Sequence, residues 1–142
     1  MTYRELVKPD AALYLRKQAI LRFPNWDISD AIPDGEIILL REKPLVTIYS
    51  QDSYRNAEWT WSEVFGYRIF AGSRANPDEA RVVGAAVEAW LWTAARYDRA
   101  SPVAAVTDSN GPNLVADEHE TAVLYGTVEM VIAGVFAPAQ TG

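Results

Sequence analysis

The sequence offers one short segment whose residue types could hold a metal ion, Asp117-Glu118-His119-Glu120. Carboxylates and imidazoles are metal ligands, and alternate residues of a strand share a face, so Asp117 and His119 could converge on one ion. Two ligands are too few for a closed zinc site, and the chain has no other His and no Cys. We therefore predict a solvated hairpin loop without metal or cofactor. A small metal-dependent enzyme is the alternative function that this segment leaves open.

Nucleophilic and phosphate chemistry have weaker signals. His119 is the only imidazole available as a base, and no serine stands in a Gly-x-Ser-x-Gly elbow. The segment Gly72-Ser73-Arg74 precedes a predicted helix, and helix N-termini attract anions. It lacks the glycine and lysine spacing of known phosphate loops, which favours a plain strand-to-helix turn. We therefore predict that the protein is not an enzyme.

Tryptophan is unusually frequent, with five in 142 residues, and four of them form pairs separated by one residue. Alternate positions share a face on a strand but lie about 200° apart on a helix, so Trp90 and Trp92 cannot both face one core. Trp is enriched in interface hot spots, which favours an assembly component over an enzyme. Trp92 either contacts another subunit or lies under segment 50–62, and both interpretations stay open. The candidate interface residues are Trp59, Trp61, Trp92 and its neighbour Arg96.

Composition excludes several classes of protein. A formal net charge of −6 argues against a surface that grips nucleic-acid phosphates. The absence of Cys excludes a disulfide scaffold and a thiol nucleophile. The N-terminus lacks the layout of a signal peptide and no apolar stretch is long enough to span a bilayer, so we predict no membrane partner. The length fits a single domain over residues 1–142.

The excess negative charge is concentrated in the last third of the chain. Residues 100–142 contain no Lys or Arg. This stretch is either ordinary solubilising charge or a surface that repels an anion or meets a basic partner. Its acidic residues are Asp108, Asp117, Glu118, Glu120 and Glu129.

Two helices are predicted. Apolar residues recur at helical spacing over 9–23, until Phe23-Pro24 ends the helix. The second helix is predicted over 77–97, with Asn76 as its N-cap and Glu79 three residues later, close to a capping box. Its apolar face is formed by Val83, Val87, Trp90, Leu91, Ala94 and Tyr97.

The other elements are predicted strands, with an ordered loop over 50–62 that ends in a short strand, and turn signals over 108–113. Glu129 lies on the strand face opposite the apolar residues. The strands cover 37–40, 45–49, 64–71, 103–107 and 123–136. Their apolar faces are formed by Phe65, Tyr67, Ile69, Leu124, Val128, Met130, Ile132 and Phe136. This order predicts an α+β domain with a mostly antiparallel sheet, two main helices packed on one face and a long closing β-hairpin.

A resemblance that covers nearly the whole chain begins with the helix Asp10–Arg22 and continues through three segments. They are "IPDGEIILLREKPLVTIYS", "GYRIFAGSRANPDEARVVGAAVEAWL" and "SPVAAVTDSNGPNLVADEHETAVLYGTVEMVIAG". In this order they resemble the tail terminator proteins of long-tailed phages, also called tail completion or head–tail joining proteins, and above all those of actinobacteriophages. The family has no catalytic signature, so the resemblance lies in the arrangement, and the Trp59/Trp61 segment departs from it.

The resemblance implies a structural role in the virion, at the head-proximal end of the tail, with assembly in the host cytoplasm. Such proteins form a ring, usually a hexamer, that ends polymerisation of the tail tube. Its implied partners are further copies of the chain, the major tail tube protein and the head-closure or connector protein. DNA passes through the lumen on ejection.

Charge adds a hypothesis about the lumen. If the acidic residues of the last third face it in part, a negative wall repels phosphate and lets DNA slide. We expect unlike patches in a head-to-tail ring contact. One patch is expected from the first strand pair with segment 50–62, and the other from the long helix or the closing hairpin. The alternatives are another neck protein, either a head-closure stopper or a connector adaptor, and a dimeric ligand-binding module.

Overall fold

The computed structural model of the protein describes residues 4–31, 38–117 and 119–137. Within these ranges the chain alternates short and long strands with two helices and one turn of 3₁₀ helix. In chain order the elements are β1 (Leu6–Val7), α1 (Ala11–Arg22), β2 (Asp27–Ser29), β3 (Leu45–Arg55), β4 (Thr60–Ala71), α2 (Asp78–Leu91), the 3₁₀ turn (Ala94–Arg96), β5 (Val103–Leu114), β6 (Ala122–Ala133) and β7 (Val135–Phe136).

Five of the strands form the main sheet in the order β2-β3-β4-β6-β5. Only β2 runs parallel to its neighbour, and the other three pairings are antiparallel. β1 and β7 form a separate antiparallel pair. Two helices over a mostly antiparallel sheet confirm the predicted α+β class.

The helices form one layer over the sheet. α1 contacts β2 and β3, whereas α2 contacts β4, β6 and β5. Residues of both helices join the inward-facing strand residues in one apolar core. Ridges of small and branched side chains allow the helices to approach the sheet closely, and every buried methylene adds roughly 0.8 kcal/mol. The core residues of α1 and α2 are Ala11, Ala12, Leu15, Ala19, Ala80, Val83, Val87 and Leu91.

Strand alternation was predicted well at the centre of the sheet. Phe65, Tyr67 and Ile69 are fully buried on the helix-covered face of β4. The predicted core residues of β6 are buried as well, and Glu129 lies on the other face. Phe136 departs from the prediction. The strand is interrupted at Gly134, and β7 then pairs with β1, so the Phe136 ring is exposed.

Several predicted boundaries were wrong. Segment 50–62 contains more than the short strand predicted at its end, because the loop predicted before it is the outer part of a long β3–β4 hairpin. Residues 108–113 do not form the predicted turn, because β5 continues through them to Leu114. Register shifts against β6 accommodate the extra residues there, and Gly111 takes a positive φ that other residues rarely adopt. Of the strand predicted over 37–40, residues 38–40 are irregular, and residue 37 lies outside the described residues.

Candidate functional site

A line of carboxylates crosses the sheet face that the helices leave uncovered. Asp52 of β3 stands opposite Val64 of β4, which stands opposite Glu129 of β6, which stands opposite Asp108 of β5. Directly paired residues share a face of the sheet, so the three acidic side chains point the same way. We call Asp52, Glu129 and Asp108 the acidic row. Glu129 and Asp108 stand directly opposite each other. Like charges in that arrangement destabilise a sheet, so this pair is not one that folding alone favours.

The acidic row contains two of the five acidic residues singled out in the sequence. Asp117 and Glu120 lie instead in the connection between β5 and β6, beyond the far end of the sheet. Glu118 lies outside the described residues. Asp52 was missed, because only the strand register shows that it lies in line with Glu129.

The histidine of the β5–β6 connection makes structural contacts. His119 Nδ1 accepts a hydrogen bond from the backbone N–H of Ile38 at 2.6 Å, and the imidazole packs edge-on against Phe70. Asp117 Oδ1 accepts the backbone N–H of His119 at 2.9 Å. Within residues 4–31, 38–117 and 119–137, no three acidic or histidine side chains are grouped so that they could hold a metal ion. The imidazole therefore fixes this connection over the sheet end.

One cation lies on the side of the sheet without helices, which we call the open face, closer to the connection. Arg68 of β4 stands opposite Tyr125 of β6, and its guanidinium lies 5.0 Å from the centre of that ring. The amide of Gln51 donates to the Tyr125 hydroxyl, which fixes the ring. The buried Arg68 Nε and Thr47 Oγ1 have no hydrogen-bond partner in the part of the chain that is described. Near the connection the open face is covered by a second buried apolar cluster, and its exposed part carries the acidic row. The members of that cluster are Ile38, Leu45, Phe70 and Val123.

The candidate interface tryptophans have different environments. Trp61 is only 8 % exposed and lies in the core, with the Arg55 guanidinium 4.4 Å from its ring centre. Trp59 at the hairpin tip is 58 % exposed. Trp92 is 39 % exposed, and its indole N–H donates to Ser109 Oγ on β5 at 3.0 Å, so its intrachain partner is β5 and not segment 50–62. The exposed members of the predicted set are Trp59, Trp92 and Arg96.

Exposed apolar side chains collect at the end of the sheet where β1 pairs with β7. The tip of the β3–β4 hairpin adjoins this pair, since the Gly134 N–H donates to the Trp59 carbonyl at 2.8 Å. Val7 and Val135 are directly paired and share one side of the β1–β7 pair, whereas Phe136 lies on its other side. Exposed apolar side chains that cluster at one end of a protein often mark contacts with other proteins. We call this surface the apolar end; it consists of Val7, Trp59, Val135 and Phe136, all exposed.

Two buried tyrosines make the domain less stable at alkaline pH. Burial raises the pKa of Tyr67 and of Tyr97 above the ordinary value, with smaller contributions from the charge of Glu88 and from Tyr14 respectively. The unfolded chain therefore loses these protons at lower pH than the folded chain does. By linkage, the free energy of unfolding falls as pH rises above about 10, by up to roughly 1.4 kcal/mol per pH unit for each tyrosine.

Urea denaturation between about pH 9 and pH 11 measures this dependence. We expect the double variant Tyr67→Phe/Tyr97→Phe to lose less stability over that range than the unchanged chain. Equal losses in both proteins would contradict the assignment to these two hydroxyls.

No family model matches the chain, and no curated protein matches it. In the described part of the chain, none of the helices is both long enough and apolar enough to cross a membrane.

Proposed function

We propose that the protein is a structural component of a phage virion that forms a ring at the head-proximal end of the tail tube, as the resemblance to tail terminators implies. The observation that carries the proposal is the acidic row on the helix-free face of the sheet. In a ring whose lumen is lined by this face, each subunit contributes Asp52, Glu129 and Asp108 to the wall. Such a wall repels DNA phosphates and lets the duplex pass without binding.

The apolar end supports an assembly role. Val135 and Phe136 expose apolar surface on a pair of two-residue strands, which gives a folded monomer no stability in return. Trp59 at the hairpin tip is a further exposed aromatic residue at this end of the sheet. Burial against the tail tube protein or the connector would remove this surface from water, and aromatic residues are the usual anchors of such contacts.

A charge-reversal experiment tests the proposal. Particle mass and electron microscopy of the purified chain are expected to show a closed ring, a hexamer by the resemblance. The double variant Asp52→Lys/Glu129→Lys should keep the ring but bind duplex DNA, with an affinity that falls steeply as salt is raised. The unchanged ring should not bind DNA under the same conditions.

A matched reversal elsewhere provides the control. Asp78→Lys/Glu79→Lys changes two exposed carboxylates at the start of α2, away from the acidic row. It should leave DNA binding near that of the unchanged ring. A chain that stays monomeric or dimeric at every concentration, or equal DNA binding by both reversed variants, would refute the proposed function.

A further inference from the structure

The edge strand β5 contains the only Asn-Gly dipeptide of the sequence, Asn110-Gly111. In such a dipeptide the glycine backbone nitrogen can attack the side-chain carbonyl carbon of the asparagine, because glycine has no Cβ that blocks the approach. The other asparagines of the chain precede Trp26, Ala57, Pro77 and Leu114. A side chain on the following residue hinders this attack, and a proline nitrogen has no proton to lose. By sequence, Asn110 therefore has the most reactive side-chain amide of the chain.

The fold places this dipeptide in an irregular stretch of β5. The pairing with β6 shifts between Asn110 and Asn113, so that Gly111 and Pro112 stand against Gly126 alone. A bulge of this kind leaves an extra residue unpaired and disrupts the ladder of hydrogen bonds locally. β5 is also the last strand of the main sheet, and in the described part of the chain no strand lies on its outer side. The backbone is therefore less constrained here than at the centre of the sheet.

The bulge requires a glycine, whereas the asparagine before it is unconstrained. Gly111 has a φ of +86°, and a Cβ there would lie 2.8 Å from the Tyr125 carbonyl oxygen. Asn110 is exposed, so its amide can turn towards the Gly111 nitrogen. The amide of Asn56, by contrast, is held in place, because its Nδ2 donates to Ser62 Oγ at 2.8 Å.

We propose that Asn110 deamidates spontaneously in the folded protein and becomes a carboxylate. The Gly111 nitrogen gives up its proton and bonds to Asn110 Cγ, the bond from Cγ to the amide nitrogen breaks, and the amide leaves as ammonia with that proton. Water then opens the resulting cyclic imide. Attack on Cγ gives aspartate, and attack on the backbone carbonyl carbon gives isoaspartate, in which the main chain runs through the side chain. Water is the only co-reactant, and each product carries one more negative charge.

The new carboxylate extends the acidic row. Asn110 pairs with Thr127, and Asp108 pairs with Glu129, so all four side chains lie on the open face. Deamidation itself does not depend on the proposed function, but its consequence rests on it. In a ring whose lumen is lined by the open face, an aged subunit would repel DNA phosphates more strongly than a new one.

Ageing of the purified chain at neutral pH tests the proposal. Ion-exchange chromatography should show that a more acidic species accumulates while ammonia is released in equal amount. Trypsin releases residues 100–142 as one peptide, because no Lys or Arg follows Arg99. Fragmentation of this peptide in a mass spectrometer should locate the change from amide to acid at Asn110 and not at Asn113.

Two glutamine variants are matched controls. Asn110→Gln should stop formation of the acidic species, because the longer side chain closes a ring far more slowly. Asn113→Gln removes the other asparagine of the same peptide and should age like the unchanged chain. Asn110→Asp supplies one product directly and should elute with part of the acidic species.

The outcomes that would overturn the deamidation do not involve ring formation. One is a folded chain that stays unchanged at Asn110 while the chain held in urea is converted there, since the fold would then protect the amide. The others are equal conversion at Asn113, and an acidic species that forms undiminished in Asn110→Gln.

A further arm tests the consequence for DNA. In the Asp52→Lys/Glu129→Lys background, which is expected to bind duplex DNA, adding Asn110→Asp should weaken binding several-fold and reduce its salt dependence. Asn76→Asp adds the same charge at the start of α2 and should have little effect. Equal effects of the two changes would overturn the placement of residue 110 beside DNA and leave the deamidation intact. A reversed ring that binds no DNA would contradict the proposed function and this consequence together.

Discussion

Replacing Lys8 with Met is expected to lower the free energy of unfolding by about 3 kcal/mol. Lys8 Nζ lies 2.9 Å from Glu63 Oε1, and the Glu63 side chain is only 1 % exposed. Glu63 sits in β4 opposite Met130, at the end of the core. Removing the ammonium leaves a buried carboxylate without its cation, and such a charge costs several kcal/mol. Urea denaturation of the two proteins at neutral pH measures the loss.

The matched variants separate charge from packing. Lys8→Met/Glu63→Met removes both charges and should recover most of the loss, because replacing a buried pair by apolar residues is often neutral. Lys8→Arg keeps the cation and should cost less than Lys8→Met. A loss below about 1 kcal/mol in Lys8→Met, unchanged in the double variant, would show that the pair behaves as a surface ion pair.

The same pair ties the apolar end to the sheet. Lys8 follows β1 directly, and β1 pairs with β7 through Leu6–Phe136 and Val7–Val135. Two-residue strands have little stability of their own. Lys8→Met should therefore also expose the backbone of this pair to faster hydrogen exchange, which weakens the surface proposed to contact the next component of the tail.

Local sequence patterns predicted the helices and the buried faces of the strands, but they did not predict the connections between strands. α1 was predictable because its apolar periodicity and its end at Phe23-Pro24 act over a few residues. α2 was predicted only in part: its N-cap is Pro77 and not Asn76, no side chain caps it as in a capping box, and it ends at Leu91, before the predicted end at residue 97. The strand predicted for β5 ended at residue 107, because the Asn-Gly and Gly-Pro dipeptides of 108–113 usually mark a turn. Pairing of β5 with the long strand β6 outweighs those local preferences, and the register shifts take up the residues that do not fit.

The candidate site was predictable only in part, for a similar reason. Sequence alone showed that the last third is acidic and that Glu129 faces away from the core. It could not show that Asp108 lies in a strand rather than a turn. It also could not show that Asp52 lies in line with Asp108 and Glu129, since strand register depends on tertiary structure. The opposite placement of α1 and β5 also depends on strand order, which local sequence patterns do not determine.

A valine at Gly126 is expected to cost about 3 kcal/mol or more of stability. Gly126 stands opposite Tyr67 across the β4–β6 pair, and a Cβ there would lie 2.5 Å from the Tyr67 hydroxyl oxygen and Cζ. Tyr67 is fully buried and is the largest such side chain, so it has no room to move. Thermal and urea unfolding should both show the loss. Thr127→Val, one residue along on the open face, is the control and should change stability little.

A double-mutant cycle links this clash to the placement of the acidic row. Gly126→Val should cost little in a Tyr67→Ala background, because the space taken by the ring is then free; an undiminished cost would refute the account. Tyr67 over Gly126 also fixes the register of β6, since a slip of one residue would put Tyr125 or Thr127 under the ring. The same slip would turn Glu129 toward the core. The glycine therefore selects the sheet face on which the carboxylates proposed to line the DNA path are displayed.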